Sequence, residues 1–167
     1  MLINTIADQL EKLNAVLLMA GDGEEKEYYK QLAANNPNII FTGMISPDIR
    51  RTYYEQSDIF VLPSTCYDGV VEAWGLTVNE ALECGTPVIV SDIVGAGYDI
   101  VNKNNGIIFR FESPIELRSA IINILNNYNN YKRDVIQNNY KKYTIKEMAL
   151  QFADVIKETS CEKLNIN

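Results

Sequence analysis

Apolar residues along this chain alternate between two rhythms. Ile3, Ile6, Leu10 and Leu13 recur at helical spacing and predict an amphipathic helix over residues 2–13, whereas residues 16–20 form a short apolar run that reads as a buried strand. The same exchange continues downstream. A helix is predicted near 24–35, a strand over 38–42, and a helix over 47–56 with Ile49 and Tyr53 facing inward. A strand over 58–63, closed by Pro63, leads to a helix carrying Leu76, Val78, Ala81 and Leu82, ended by Gly85, and then to a strand over 87–91. A short helix near 98–101, a polar turn over 102–105 and a strand over 106–111 follow. Ser113, Pro114 and Glu116 open the next helix by cap, proline and acidic first turn, with Ile115, Leu117, Ile121, Ile122 and Leu125 as its apolar face. Two further helical stretches reach about residue 157, and a polar tail runs over 159–167.

Alternating helices and strands without internal repeats predict an α/β fold. The expectation is a Rossmann-like three-layer domain over 1–158, with a mainly parallel sheet of about five strands. The chain has 167 residues, 47% of them hydrophobic, enough for one well-filled core.

Charge and composition narrow the chemistry. A net charge of −7 argues against nucleic acid as a partner. No apolar run approaches the ~20 residues of a membrane span and no leader is evident, which predicts a soluble, cytoplasmic protein. The chain contains no histidine, so any catalysis by its own residues rests on carboxylates, lysine, tyrosine or backbone dipoles. Its three cysteines, Cys66, Cys84 and Cys161, lack metal-ligand spacing and read as reduced thiols.

The stretch from Pro63 through Asp92 concentrates the candidate chemistry. Glu72 stands in the loop before the predicted helix and Glu80 about one and a half turns inside it. With Gly75 at the junction, the amides of Trp74, Gly75, Leu76 and Thr77 are placed to hold an anion at the helix N-terminus. Carboxylates on either side of an anion site suit a ligand with a charged centre and hydroxyls at both ends, the layout of a nucleoside diphosphate sugar. The alternative is a solvated loop carboxylate and the wet face of an amphipathic helix.

The string Glu72-Ala-Trp-Gly-Leu-Thr-Val-Asn-Glu80, followed by Ala81-Leu-Glu-Cys-Gly-Thr-Pro-Val88, resembles the Glu-x7-Glu signature of the glycogen-synthase-like (group 1) glycosyltransferases. Pro63-Ser64 and Gly85-Thr-Pro-Val88 stand at matching offsets. The resemblance implies the C-terminal, donor-binding half of a GT-B fold. It also implies that Glu72 meets the donor sugar, as the catalytic carboxylate, and that Glu80 meets the ribose, with the amides of Trp74, Gly75, Leu76 and Thr77 near phosphate and sugar. Gly21, in the turn after the first strand, would border the cleft, and Gly43, Met44 and Ile45 would line the nucleobase. The resemblance implies a nucleotide-sugar donor, a retaining mechanism and no required metal or other cofactor. It further implies a strand and an Arg/Lys loop ahead of the first helix, without counterpart before Val16, and an acceptor-binding domain or chain supplied separately.

Two readings remain open. One is a nucleotide-sugar-binding domain of a glycosyltransferase in glycan, polysaccharide or glycolipid assembly; the other is a non-catalytic or degenerate nucleotide-binding module. The Gly21-Asp22-Gly23 run lacks a third glycine and precedes Glu24, Glu25 and Glu27, so a tight turn is favoured over a direct phosphate cradle. Arg50 and Arg51 read as surface cations. Between Tyr128 and Lys146, five basic residues against one acid, interleaved with tyrosines, suit either a solvated helical face or peripheral contact with an anionic membrane or lipid-linked acceptor.

Overall fold

The computed structural model describes residues 1–66, 68–143 and 145–164, with side chains described through Thr159. Helices and strands alternate as the apolar rhythm predicts: α1 (Leu2–Ile6), β1 (Leu17–Ala20), α2 (Lys26–Leu32), β2 (Ile39–Gly43), α3 (Pro47–Gln56) and β3 (Phe60–Leu62). Then come α4 (Leu76–Glu83), β4 (Val88–Ser91), α5 (Gly95–Ile100), β5 (Gly106–Phe109), α6 (Pro114–Asn126), α7 (Arg133–Tyr140) and α8 (Ile145–Leu164). Among the described residues no helix is long and apolar enough to cross a membrane.

All five strands pair in parallel, but in two sheets. Among the described residues β1 pairs with β2 alone, Leu17 opposite Ile39 and Leu18 opposite Ile40. β4 is flanked by β3 and β5, with Val88 opposite both Phe60 and Gly106. A central parallel strand is covered on both faces, so it tolerates no alternation with polar residues; Val88, Ile89 and Val90 are accordingly inaccessible to solvent. Each contributes ~1.5–3 kcal/mol by leaving water. α4 packs on β3 and β4, α6 on β4 and β5, and α1 lies against α6. Arg118 of α6 secures that last contact, its Nε donating to the Thr5 carbonyl at 2.8 Å.

Several local expectations are corrected by the packing. The first helix is shorter, giving way to turns after Ile6, although Ile3, Ile6 and Leu10 are buried as their spacing predicts. β1 is only half-buried. Leu18 and its partner Ile40 are both exposed, so one face of the two-stranded sheet is uncovered. On α3 the inward tyrosine is Tyr54, while Ile49 is exposed and Tyr53 half-buried. Leu76 and Ile115, at the first turns of α4 and α6, point to solvent; the core takes Val78, Ala81 and Leu82 from α4, and Leu117, Ile121 and Ile124 from α6. α8 continues through Leu164, and Ile145, Met148, Phe152 and Val155 along it are exposed.

The basic and tyrosine-rich segment is partly interior. Tyr131 and Tyr140 are buried. Arg133 is drawn inward, Nη1 donating to Thr86 Oγ1 at 3.1 Å and Nη2 to the Ser57 carbonyl. Gly85, with φ +75°, ends α4 in the left-handed turn that the sequence predicts, and the Thr86 amide returns to the Ala81 carbonyl at 2.9 Å. A Cβ on Gly85 would lie 2.6 Å from the Arg133 carbonyl, so this turn also lets α7 dock closely.

Candidate active site

The chain leaves β3 at Leu62 and re-enters regular structure at Leu76, so the loop carrying Glu72 lies at the C-terminal end of the parallel strands, where α/β sheets bind ligands. Two bonds fasten it. Ser91 Oγ, at the end of β4, donates to the Ser64 carbonyl at 2.8 Å, and the Ala96 amide of α5 donates to the Trp74 carbonyl at 2.8 Å. Gly75 then turns the chain into α4 with φ +89°; a Cβ there would lie 2.9 Å from Val94 Cγ1 and 3.0 Å from Leu62 Cδ2. Both conformation and space demand glycine.

Glu72 is exposed and reaches the helix N-terminus itself. The Gly75 amide donates to its Oε1 at 3.0 Å. A carboxylate there is favoured by the helix dipole. Of the four amides singled out by sequence, Gly75's is therefore occupied. Those of Leu76 and Thr77, the first two residues of α4, have no intrahelical acceptor. Trp74 lies along the helix, its ring nitrogen donating to Asn79 Oδ1 at 2.7 Å, and Asn79 Nδ2 donates to the Tyr140 hydroxyl at 3.0 Å.

Glu80 is held from a different element. Arg50 Nη1 donates to its Oε1 at 2.9 Å, and the Tyr54 hydroxyl donates to its Oε2, also at 2.9 Å. Burial, and then the Glu80 carboxylate, push the Tyr54 hydroxyl well above the usual phenol range, so it remains a donor. These residues, with Pro47, Arg51, Glu83 and Cys84, line a cleft of about 170 Å³ between α3 and α4. Arg51, in contrast, turns to Glu55 at 2.7 Å. Arg50 is the surface cation that the sequence suggests, with a side chain 37% exposed, and the structure adds Glu80 as its partner. The signal that could have found it is the four-residue spacing of Arg50 and Tyr54, which sets both on one side of α3.

Gly21 and Gly43 meet directly, the Gly21 amide donating to the Gly43 carbonyl at 2.9 Å. Asp22 serves the turn, accepting from the Gly23 amide at 3.0 Å and pairing with Lys26 at 2.7 Å. Those two bonds, the Lys26 one foremost, hold its carboxyl below the usual range. Met44 is exposed and Ile45 half-buried. Both precede Ser46, the residue that caps α3, so the two residues expected to border a base stand just ahead of the helix that carries Arg50 and Tyr54 to Glu80. Among the described residues no three His, Cys, Asp or Glu side chains cluster as a metal site would need.

The family model described as "Glycosyl transferases group 1" matches residues 2–142. An uncharacterized glycosyltransferase of Methanocaldococcus jannaschii is 30% identical over 166 residues, 93% of this chain and 40% of that protein. The alpha-monoglucosyldiacylglycerol synthase of Streptococcus pneumoniae is 41% identical over 87 residues, 50% of this chain and 19% of that one. Among solved structures, an Anabaena protein, HepE, in complex with UDP aligns with a TM-score of 0.71 at 20% identity, over 93% of this chain and 44% of that chain. Sucrose-phosphate synthase from Thermosynechococcus elongatus aligns with a TM-score of 0.67 at 21% identity, over 96% and 42% of the two chains. These structural neighbours establish the GT-B Rossmann-like fold. The chain thus spans about two fifths of the length of such relatives. With its Glu-x7-Glu string folded as loop and helix at the ends of a parallel sheet, and the family's pattern running through most of its length, this chain belongs to the group 1 glycosyltransferases.

Proposed function

We propose that the chain is the nucleotide-sugar-binding domain of a retaining glycosyltransferase acting in glycan, polysaccharide or glycolipid assembly. The observation that carries this reading is the arrangement at the head of α4. Two carboxylates, Glu72 and Glu80, stand along the chain on either side of the amides of Leu76 and Thr77, which have no intrahelical acceptor, in the segment that follows β3. The presence of UDP in the complex of one structural neighbour, and the glycolipid synthase among the relatives, support the same reading.

In this assignment the amides of Leu76 and Thr77, with the positive end of the helix, meet the donor's phosphate. Negative charge grows on that group as the glycosidic bond to it breaks, so fixed donors there lower the barrier. Glu72, whose Oε1 accepts from the Gly75 amide, offers its remaining lone pairs to the sugar hydroxyls. Glu80 accepts from the ribose. Gly21, Gly43, Met44 and Ile45 border the base, and no metal is assigned a part. The acceptor is bound by a further domain or chain, in keeping with the two fifths of a relative that this chain spans.

The test is the melting temperature of the wild type and Glu80→Ala with millimolar UDP, GDP, ADP and their sugar conjugates. Ligand at a hundred times its Kd stabilises the folded state by about 2.7 kcal/mol. One nucleotide is expected to raise the melting temperature of the wild type and not that of the variant. Equal shifts in both proteins, or none in either, overturn the assignment.

A further inference from the structure

We infer that Arg50 and Tyr54 are positioning residues that aim the Glu80 carboxylate at a vicinal diol, the ribose 2′- and 3′-hydroxyls if Glu80 serves the donor site as proposed above. The inference rests on that reading and adds residues from α3 to it.

A carboxylate has about four lone-pair positions, two on each oxygen. Arg50 takes one on Oε1 and Tyr54 one on Oε2. One position therefore remains on each oxygen, which matches two hydroxyls on neighbouring carbons. Glu80 left to itself would sweep several rotamers on the surface of α4, since its side chain is 38% exposed. The two donors remove that freedom before any ligand arrives, which lowers the entropic cost of binding.

The donors are themselves fixed. Tyr54 is buried, with its ring edge-on to Phe60 at 5.4 Å between centroids. Its carbonyl accepts from Thr86 Oγ1 at 2.6 Å, and Thr86 in turn accepts from Arg133 at 3.1 Å. α3 is thereby tied to the C-terminal turn of α4 and to α7. Arg51, which follows Arg50 but bonds Glu55, and Glu83, one turn beyond Glu80 and 3.9 Å from Arg51, lie outside this set. Arg50 therefore bonds Glu80 while its neighbour Arg51, on the same cleft, bonds Glu55.

The experiment measures Kd for whichever of UDP, GDP and ADP the wild type binds most tightly, and for its 2′,3′-dideoxy form. The proteins are the wild type, Glu80→Gln, Arg50→Gln, Arg50→Lys and Tyr54→Phe. The wild type is expected to prefer the ribo form by about ten- to a hundredfold, the range for hydrogen bonds to a charged group. Arg50→Gln and Tyr54→Phe are each expected to lower that preference about three- to tenfold while leaving the dideoxy Kd unchanged, and Arg50→Lys to restore part of it. A merely structural role weakens both ligands alike, and that outcome overturns the inference. So does a preference retained in Arg50→Gln and Tyr54→Phe but lost in Glu80→Gln, which leaves the donor-site reading standing. A preference retained in Glu80→Gln, or no nucleotide bound by the wild type, removes the underlying reading and the inference together.

Discussion

Gly95→Ala is expected to damage the candidate site without altering any side chain that faces it. Gly95 opens α5 where that helix packs on the loop bearing Glu72, and a Cβ built there would stand 2.2 Å from the Ala73 carbonyl oxygen. A carbon and a carbonyl oxygen keep about 3.3 Å. The loop and the helix must therefore separate by about 1 Å, straining or breaking the 2.8 Å bond from the Ala96 amide to the Trp74 carbonyl. Overpacking of this kind costs ~1–3 kcal/mol, and the bond a further ~0.5–1.5 kcal/mol. Reduced freedom of the unfolded chain returns ~0.4–1 kcal/mol, leaving a net loss of about 0.5–4 kcal/mol, centred near ~2 kcal/mol. For a chain of this size the central value corresponds to a melting temperature lower by about 4–8 °C. Gly23→Ala is the control, because nothing lies within 4 Å of its added methyl group. Thermal unfolding followed by far-UV circular dichroism compares the two. A Gly95→Ala protein melting within about 2 °C of the wild type would refute the close approach and the attachment of the loop to α5. Nucleotide-induced stabilisation should fall in Gly95→Ala as well, since the displaced segment is the one that leads into Gly75.

Arg133→Ala should cost ~1–3 kcal/mol in urea unfolding, because it strips the Ser57 carbonyl of its donor. Lys132→Ala, at an exposed neighbour, should stay within ~0.5 kcal/mol; equal losses would show that Arg133 is no more interior than its neighbour. Alkaline pH should destabilise the fold through Tyr54. Its hydroxyl is raised above the unfolded value of 10.0 by burial, so the unfolded chain releases that proton first. The stabilisation is whole below pH 10.0 and is lost as pH rises through the folded value, Tyr131 and Tyr140 shifting in the same direction. Tyr54→Phe should therefore flatten the fall in stability above pH 10.0, and an unchanged slope would contradict the burial of that hydroxyl.

The order of helices and strands, the parallel class of the sheet, the glycine turns at Gly75 and Gly85 and the position of Glu72 and Glu80 were legible in the sequence. All are local matters. They follow from apolar spacing, from the φ that glycine alone adopts freely, and from a string whose carboxylates are near neighbours along the chain. Which side of each element faces inward was less legible. Tyr53 and Tyr54 are adjacent and both amphipathic, and it is the Phe60 ring and the Glu80 carboxylate that draw the Tyr54 side chain inward. Leu76 and Ile115 fit their helices' apolar patterns, yet among the described residues nothing covers their side chains, which stay exposed. The partition of strands between two sheets depends on which backbone edges meet, and apolar runs carry no record of that. Tertiary structure alone decided the surroundings of Glu80. Thirty residues of chain separate it from Arg50, and a contact over that distance is made by the packing of α3 on α4, which brings a guanidinium and a phenol to the two oxygens of one carboxylate.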